Sequence, residues 1–267
     1  MNLHALAFQA VYTLGMEIDI ALPLVALACG VAVFAGVVKG IVGFAMPMVL
    51  VSGLGSFLAP ELALAGLILP TLVTNAMQAL RQGFAAMLGS LRRYRLFLAM
   101  GGAALLASSQ LFSQIPANAF YLLLGVPVTL YAVALLLGVP LKLNGKSRAT
   151  SVALGLFAGA IGGISGVWGP VTVAYLTAYE LSKEEQMRVQ GAIYGLGAVL
   201  LAFAHLASGV LDARTIPFSA LLVLPAVLGL WIGFRIQDRM DQSLFKKATL
   251  VVLAIAGLNL IRRGLFG

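Results

Sequence analysis

Twelve residues, Gly36 to Pro47 (GVVKGIVGFAMP), interrupt an otherwise apolar region with three glycines, a proline and the cation of Lys39. The interruption occurs twice. FAGVVKGIVGFAMP (Phe34–Pro47) overlies FAGAIGGISGVWGP (Phe157–Pro170) at a constant shift of 123 residues, with identity at 7 of 14 positions. A break of this kind, duplicated near half the chain length, is the pattern of a carrier built from two repeats. It implies two discontinuous membrane helices in corresponding places.

The surroundings require lipid. The chain is 61% hydrophobic and 10% charged, against about 25% charged for a soluble globular protein. Stretches of about 20 apolar residues fit the hydrocarbon thickness, with charges confined to the connections. The fold class is therefore an all-α polytopic membrane protein. A net charge of +8 ordinarily suggests a nucleic-acid partner, but these cations sit in short connections between spans, where topology accounts for them. The single cysteine, Cys29, lies in an apolar run and reads as a packing residue with no internal disulfide. Residues 1–16 hold no Lys or Arg and read as an N-terminal extension, not a signal peptide.

Taken in order, the chain reads as about ten spans forming two inverted repeats of five, each with a broken Gly/Pro-rich helix. The first five cover about 20–39, 44–58, 61–80, 96–112 and 119–139. The second five cover about 151–165, 169–179, 189–207, 216–234 and 248–261. Residues 1–267 thus make a single membrane domain, with repeat 1 at about 18–139, repeat 2 at about 150–263 and a cytoplasmic seam at 140–149. The connections 81–95, 140–148 and 235–247 are rich in Lys and Arg, whereas 112–118 and 209–214 are not. Placing the basic three in the cytoplasm puts both termini outside, an orientation that Arg262 and Arg263 oppose.

Irregular backbone at membrane depth must line protein or a wet cavity. Each break is followed by a new helix whose free N–H groups and partial positive charge face the interruption. Inverted copies bring the two helix starts together at the midplane, which makes an anion site. Gly40, Gly43, Phe44 and Pro47 form the first break, and Gly166, Trp168, Gly169 and Pro170 the second. Lys39 sharpens the expectation, since a mid-span Lys costs roughly 2.5–3.5 kcal/mol on insertion scales and marks function. Its repeat partner is Gly162, so packing does not demand the charge. The competing reading has Lys39 end its helix and snorkel to the interface. Thr71, Asn75 and Gln78 share one helix face, as do Gln190 and Tyr194, and either stripe could line a cavity or bond helix to helix. Trp168, with Thr172 and Tyr175, flanks the second break as a gate or an interfacial aromatic. The substrate-binding set expected is therefore Lys39, Gly40, Gly43, Phe44, Pro47, Asn75, Gln78, Gly166, Trp168, Gly169, Pro170, Tyr175 and Gln190.

These residues resemble the TauE/SafE family of sulfite and organosulfonate exporters. The resemblance rests on GFAMPMVLVSGLG in the first half and GGISGVWGPVTVAYL in the second, with Gly169-Pro170, Tyr175-Leu176, Arg188 and Arg235 in the family's positions. It spans about residues 20–262. Family members often carry a denser glycine run than GIVGFAMP, which leaves the substrate open. The resemblance implies a secondary transporter of small sulfur-containing anions (sulfite, sulfoacetate or other organosulfonates), working by alternating access, in export, from a bacterial inner membrane. Its partners would be the anion and the bilayer, with no nucleic acid, no cofactor and no metal, and with a homo-oligomer admitted.

Two alternatives remain open. An importer or channel for another small anion could use the same fold. An intramembrane serine protease is more remote: Gly163-Ile164-Ser165-Gly166 has a suggestive form and His205 could be a base. Ser165 has Val42 as its repeat partner, however, so glycine spacing explains the motif without chemistry. The reading is that the chain is not an enzyme.

Overall fold

The computed structural model describes residues 21–109, 117–139, 147–165, 169–179, 181–207 and 210–266. These are helical nearly throughout. In chain order the helices are α1 (Leu22–Val42), α2 (Met46–Leu54), α3 (Pro60–Leu80), α4 (Phe84–Arg93), α5 (Arg95–Ser109) and α6 (Ala117–Leu136). They continue with α7 (Arg148–Ser165), α8 (Gly169–Ala178), α9 (Lys183–Ala207), α10 (Thr215–Arg239) and α11 (Gln242–Phe266). Four are long and apolar enough to cross a membrane: α1, α10, α11 and the Leu62–Leu80 part of α3. Their outward side chains suit that solvent. Leu224 on α10 is 77% exposed, and Phe34 on α1 and Ile255 on α11 are each 62% exposed, exposures that water would penalise and acyl chains do not.

Several ends are set by identifiable chemistry. Gly43 stops α1 in the left-handed region at φ +86°, its N–H donating to the Lys39 carbonyl at 2.7 Å. At the start of α10, the Asp212 carboxylate accepts from the backbone N–H groups of Thr215 and Arg214 at 2.8 and 2.9 Å. Those bonds hold the carboxyl below its ordinary value. Ahead of α9, Ser182 Oγ accepts from the Glu185 N–H at 3.2 Å, and Glu184 and Glu185 occupy the positive end of the helix.

The sequence places a bare basic connection at 81–95, and this expectation needs correction. The stretch contains α4, with Phe84, Met87, Leu88 and Leu91 at i, i+3, i+4 and i+7. That is an apolar stripe on a short helix ending in Arg92 and Arg93. The 183–188 and 242–247 stretches, also read as connections, are the first turns of α9 and α11.

Two compact units emerge, one within Met1–Gln78 and Tyr194–Arg239, the other within Ala79–Ile193 and Met240–Gly267. In the first, α1 lies against α10 so closely that a Cβ on Gly36 would strike the Ala226 carbonyl and one on Gly40 the Gly233 Cα. Gly229 and Gly233 meet the α1 backbone at Val33 and Val37 in the same way. Small residues let two membrane helices approach until backbones touch, where dispersion and weak polar contacts drive association. The apolar core beside them includes Met46, Leu50 and Leu54 of α2, Leu67 and Ile68 of α3, and Phe218 and Leu222 of α10. In the second unit α5 pairs with α7, where Gly159 leaves room for the Gly101 carbonyl, and α6 pairs with α11.

Ser219 deserves particular notice in the first unit. Its hydroxyl accepts from the Leu69 N–H at 3.2 Å and donates to the Ala65 carbonyl at 2.6 Å. A hydroxyl from α10 is thereby spliced into the ladder of α3, one residue before Pro70 removes a further donor.

Candidate functional site

The first break is formed within three residues. After Val42, Gly43 and Ala45 both take left-handed backbone angles, at φ +86° and +72°, and α2 begins at Met46. Pro47 sits in its first turn, where no N–H is required. No side chain caps the start of α2. Left-handed geometry is free for glycine but costs roughly 1–2 kcal/mol for a residue with a Cβ, so Ala45 is held there by its surroundings. It is buried, as are Gly43, Phe44 and Met46.

Lys39 lies one turn before the break and is 1% exposed. Its ammonium is enclosed by protein. It donates to Asn75 Oδ1 on α3. One turn further along α3, Gln78 Nε2 donates to the Gly43 carbonyl at 3.1 Å. Thr74 donates back to the Pro70 carbonyl at 2.6 Å and touches Met46 Sδ at 3.2 Å. Thr71, also buried, has no hydrogen-bond partner for its hydroxyl among the described residues. The polar stripe of α3 is thus turned toward the break. Lys39, Gly43, Asn75 and Gln78 come together as the sequence reading grouped them, and Thr74 joins them unforeseen. It belongs to the same face, and its signal was the i, i+3 spacing from Thr71.

Gly40 has a packing duty, since it is where α1 meets Gly233. Phe44 and Pro47 are in the turn itself.

In the second unit, Gly169 and Pro170 open α8, while Gly166 and Trp168 lie outside the described residues. Tyr175 is 1% exposed, stacked on Phe97 with ring centroids 4.3 Å apart. Its hydroxyl lies 3.0 Å from Ser151 Oγ and 3.1 Å from the Tyr179 hydroxyl. It is therefore an internal brace within this unit. Gln190 is fully buried, and neither atom of its amide has a hydrogen-bond partner among the described residues. Gln186 Nε2, one turn earlier on the same face of α9, is in the same position. Buried amides without partners are costly and mark places where water or a solute completes the bonding. Arg188 donates to Ser90 Oγ at 2.8 Å and to the side-chain Oε1 of Gln82.

Ser165 ends α7, and its side chain, like that of His205, lies outside those described. Among the described residues no group of three or more His, Cys, Asp or Glu could hold a metal ion.

Lys39 is thus a buried amine with no carboxylate on it among the described residues, one turn from a helix start that no side chain caps. The profile of one family, described as Sulfite exporter TauE/SafE, matches residues 28–260. The chain belongs to the TauE/SafE family. Membership of this exporter-type family, together with the apolar helices, makes it a multi-pass membrane transporter. No curated protein matches the chain, and neither does any solved structure. Within the TauE/SafE match fall both breaks, the α3 stripe and the paired glycines of α1 and α10.

Proposed function

We propose that this TauE/SafE protein is a secondary transporter that exports small sulfur-containing anions, sulfite or organosulfonates, from a bacterial cell through its inner membrane. The observation that carries the substrate charge is Lys39. It is 1% exposed and bonded to the neutral Asn75 amide, with no carboxylate on it among the described residues. A buried ammonium paired only with a dipole is unfavourable, and a bound oxyanion supplies the missing charge. The α2 start adds free N–H groups and the positive end of the helix dipole at the break. Substrate contact is assigned to Lys39, Asn75, Gln78 and the Gly43–Pro47 turn.

Alternating access by two inverted repeats is part of the proposal. The start of α2 at Met46 and of α8 at Gly169 differ by 169 − 46 = 123 residues, and the starts of α3 at Pro60 and α9 at Lys183 by 183 − 60 = 123. This is the shift of the sequence motif. Reciprocal pairing also supports it, since the first helix of each repeat (α1, α7) lies against the fourth span of the other (α10, α5).

The test is melting of the purified protein in detergent against sulfite, sulfate, sulfoacetate, taurine, chloride and acetate, with Lys39→Ala in parallel. A ligand at about 100 times its Kd adds roughly 2.7 kcal/mol of stability. Selective stabilisation by sulfite or a sulfonate, absent from Lys39→Ala, is expected. Indifference to every anion, or equal responses in both proteins, would sink the assignment.

A further inference from the structure

We propose that the hollow between the starts of α5 and α7 binds a phosphate group, presented by an anionic lipid headgroup or by a small soluble phosphate. It is independent of the transport site and lies wholly within the second unit. The hollow measures about 450 Å³ and is lined by Arg93, Arg95, Leu96, Arg148, Ser151 and Tyr179. Three arginines from two separate basic stretches therefore line one concavity. Arg93 is engaged, with Nη1 on Glu185 Oε1 at 2.7 Å. Arg95 and Arg148 have no carboxylate partner among the described residues. That leaves two uncompensated cations, enough for the single negative charge of a phosphodiester headgroup and for the charge of about −1.5 to −2 on a phosphate monoester near neutral pH. Guanidinium forks take phosphate oxygens in pairs, which is why arginine is favoured for this group.

The rest of the hollow is suited to the same ligand. Arg95 is the first residue of α5 and Arg148 the first of α7, and neither helix has an acidic residue in its first turn. Two positive helix ends thus add to the arginine charge without internal neutralisation. Ser151 Oγ and the Tyr179 hydroxyl stand 3.1 Å apart in the lining. With the Tyr175 hydroxyl they form a cluster whose protons can be turned toward an acceptor. Beneath them Tyr94, 3% exposed, sets its ring edge-on to Tyr175 and Tyr179 at 6.4 and 5.8 Å. Topology alone asks for cations in these connections, but it asks neither for their convergence nor for a hydroxyl-lined floor.

The full-length protein in neutral detergent tests this by its melting temperature, with inorganic phosphate in one arm and short-chain phosphatidylglycerol in the other. Phosphatidylcholine, zwitterionic and net-neutral, is the lipid control. At about 100 times Kd the expected rise is about 5 °C or more. It should disappear in Arg95→Gln and Arg148→Gln, fall partway in Arg95→Lys and Arg148→Lys, and persist in Arg92→Gln and Lys39→Ala. A response to inorganic phosphate as well as lipid identifies a site open to soluble ligands, and a response to lipid alone a headgroup site. No rise in either arm overturns the proposal. So does a rise that survives both Gln variants, or one lost equally in Arg92→Gln. A rise lost in Lys39→Ala would overturn it by locating the anion at the α1–α2 break.

Discussion

At the scale of residues, Lys39 and Asn75 behave as an unequal pair. Removing the cation removes a buried charge, whereas removing Asn75 leaves that charge without its acceptor. Lys39→Met should therefore fold as well as the parent or better, while losing the response to anions. Asn75→Leu should lower stability by about 3 kcal/mol, the usual cost of stranding one member of a buried polar pair. Parallel melting curves separate the two, and equal destabilisation by both would show that Lys39 is held for structure. Ala45 permits an opposite experiment. Its φ of +72° is strained for alanine, so Ala45→Gly should raise stability by about 1 kcal/mol. An unchanged melting temperature would mean that the turn relaxes in the membrane.

At the scale of elements, α3 and α10 are linked by one hydroxyl. Ser219→Ala leaves the Leu69 N–H and the Ala65 carbonyl to find each other again, which Ser219 currently prevents. A loss of about 1–3 kcal/mol is expected if they cannot, and hydrogen exchange at Leu69 reports which outcome holds. The start of α10 carries a pH dependence of known sign. Asp212 titrates below the ordinary carboxylate value when folded, so its contribution is present near neutrality and lost as pH falls below about 4. Asn at this position should abolish that acid-induced fraying. Much of this level was legible beforehand. Glycine and proline spacing placed the first break where α1 ends at Val42 and α2 begins at Met46. The α3 stripe followed from spacing of 71, 75 and 78. What hydropathy concealed was helix in charge-bearing stretches: α4, whose apolar stripe was overshadowed by its arginines, and the opening turns of α9 behind Ser182. The partners were less accessible still. Lys39 and Asn75 are 36 positions apart on different helices, and Ser219 reaches back 150 residues to Leu69, distances over which local pattern carries no information.

At the scale of the whole molecule, the charge asymmetry of the connections makes a definite claim about sidedness. In a Cys29→Ser background, a cysteine at Arg92 should react with a membrane-impermeant maleimide only from the cytoplasmic face. One at Asp212 should react only from outside. Labelling of both from one side would break the expected topology, and an exchange of the two sides would invert it.

The glycine seam between α1 and α10 has one more implication. Because the two backbones touch at Gly36, Gly40, Gly229 and Gly233, neither helix can bend or slide without the other. Lys39 is thus mounted on a doubled beam, of which α10 alone runs 25 residues, roughly 37 Å at 1.5 Å per residue. Any stroke that carries the lysine must move that beam as one part. Leverage on the charge can consequently be applied from the far end of α10, well away from the ion that the charge would hold.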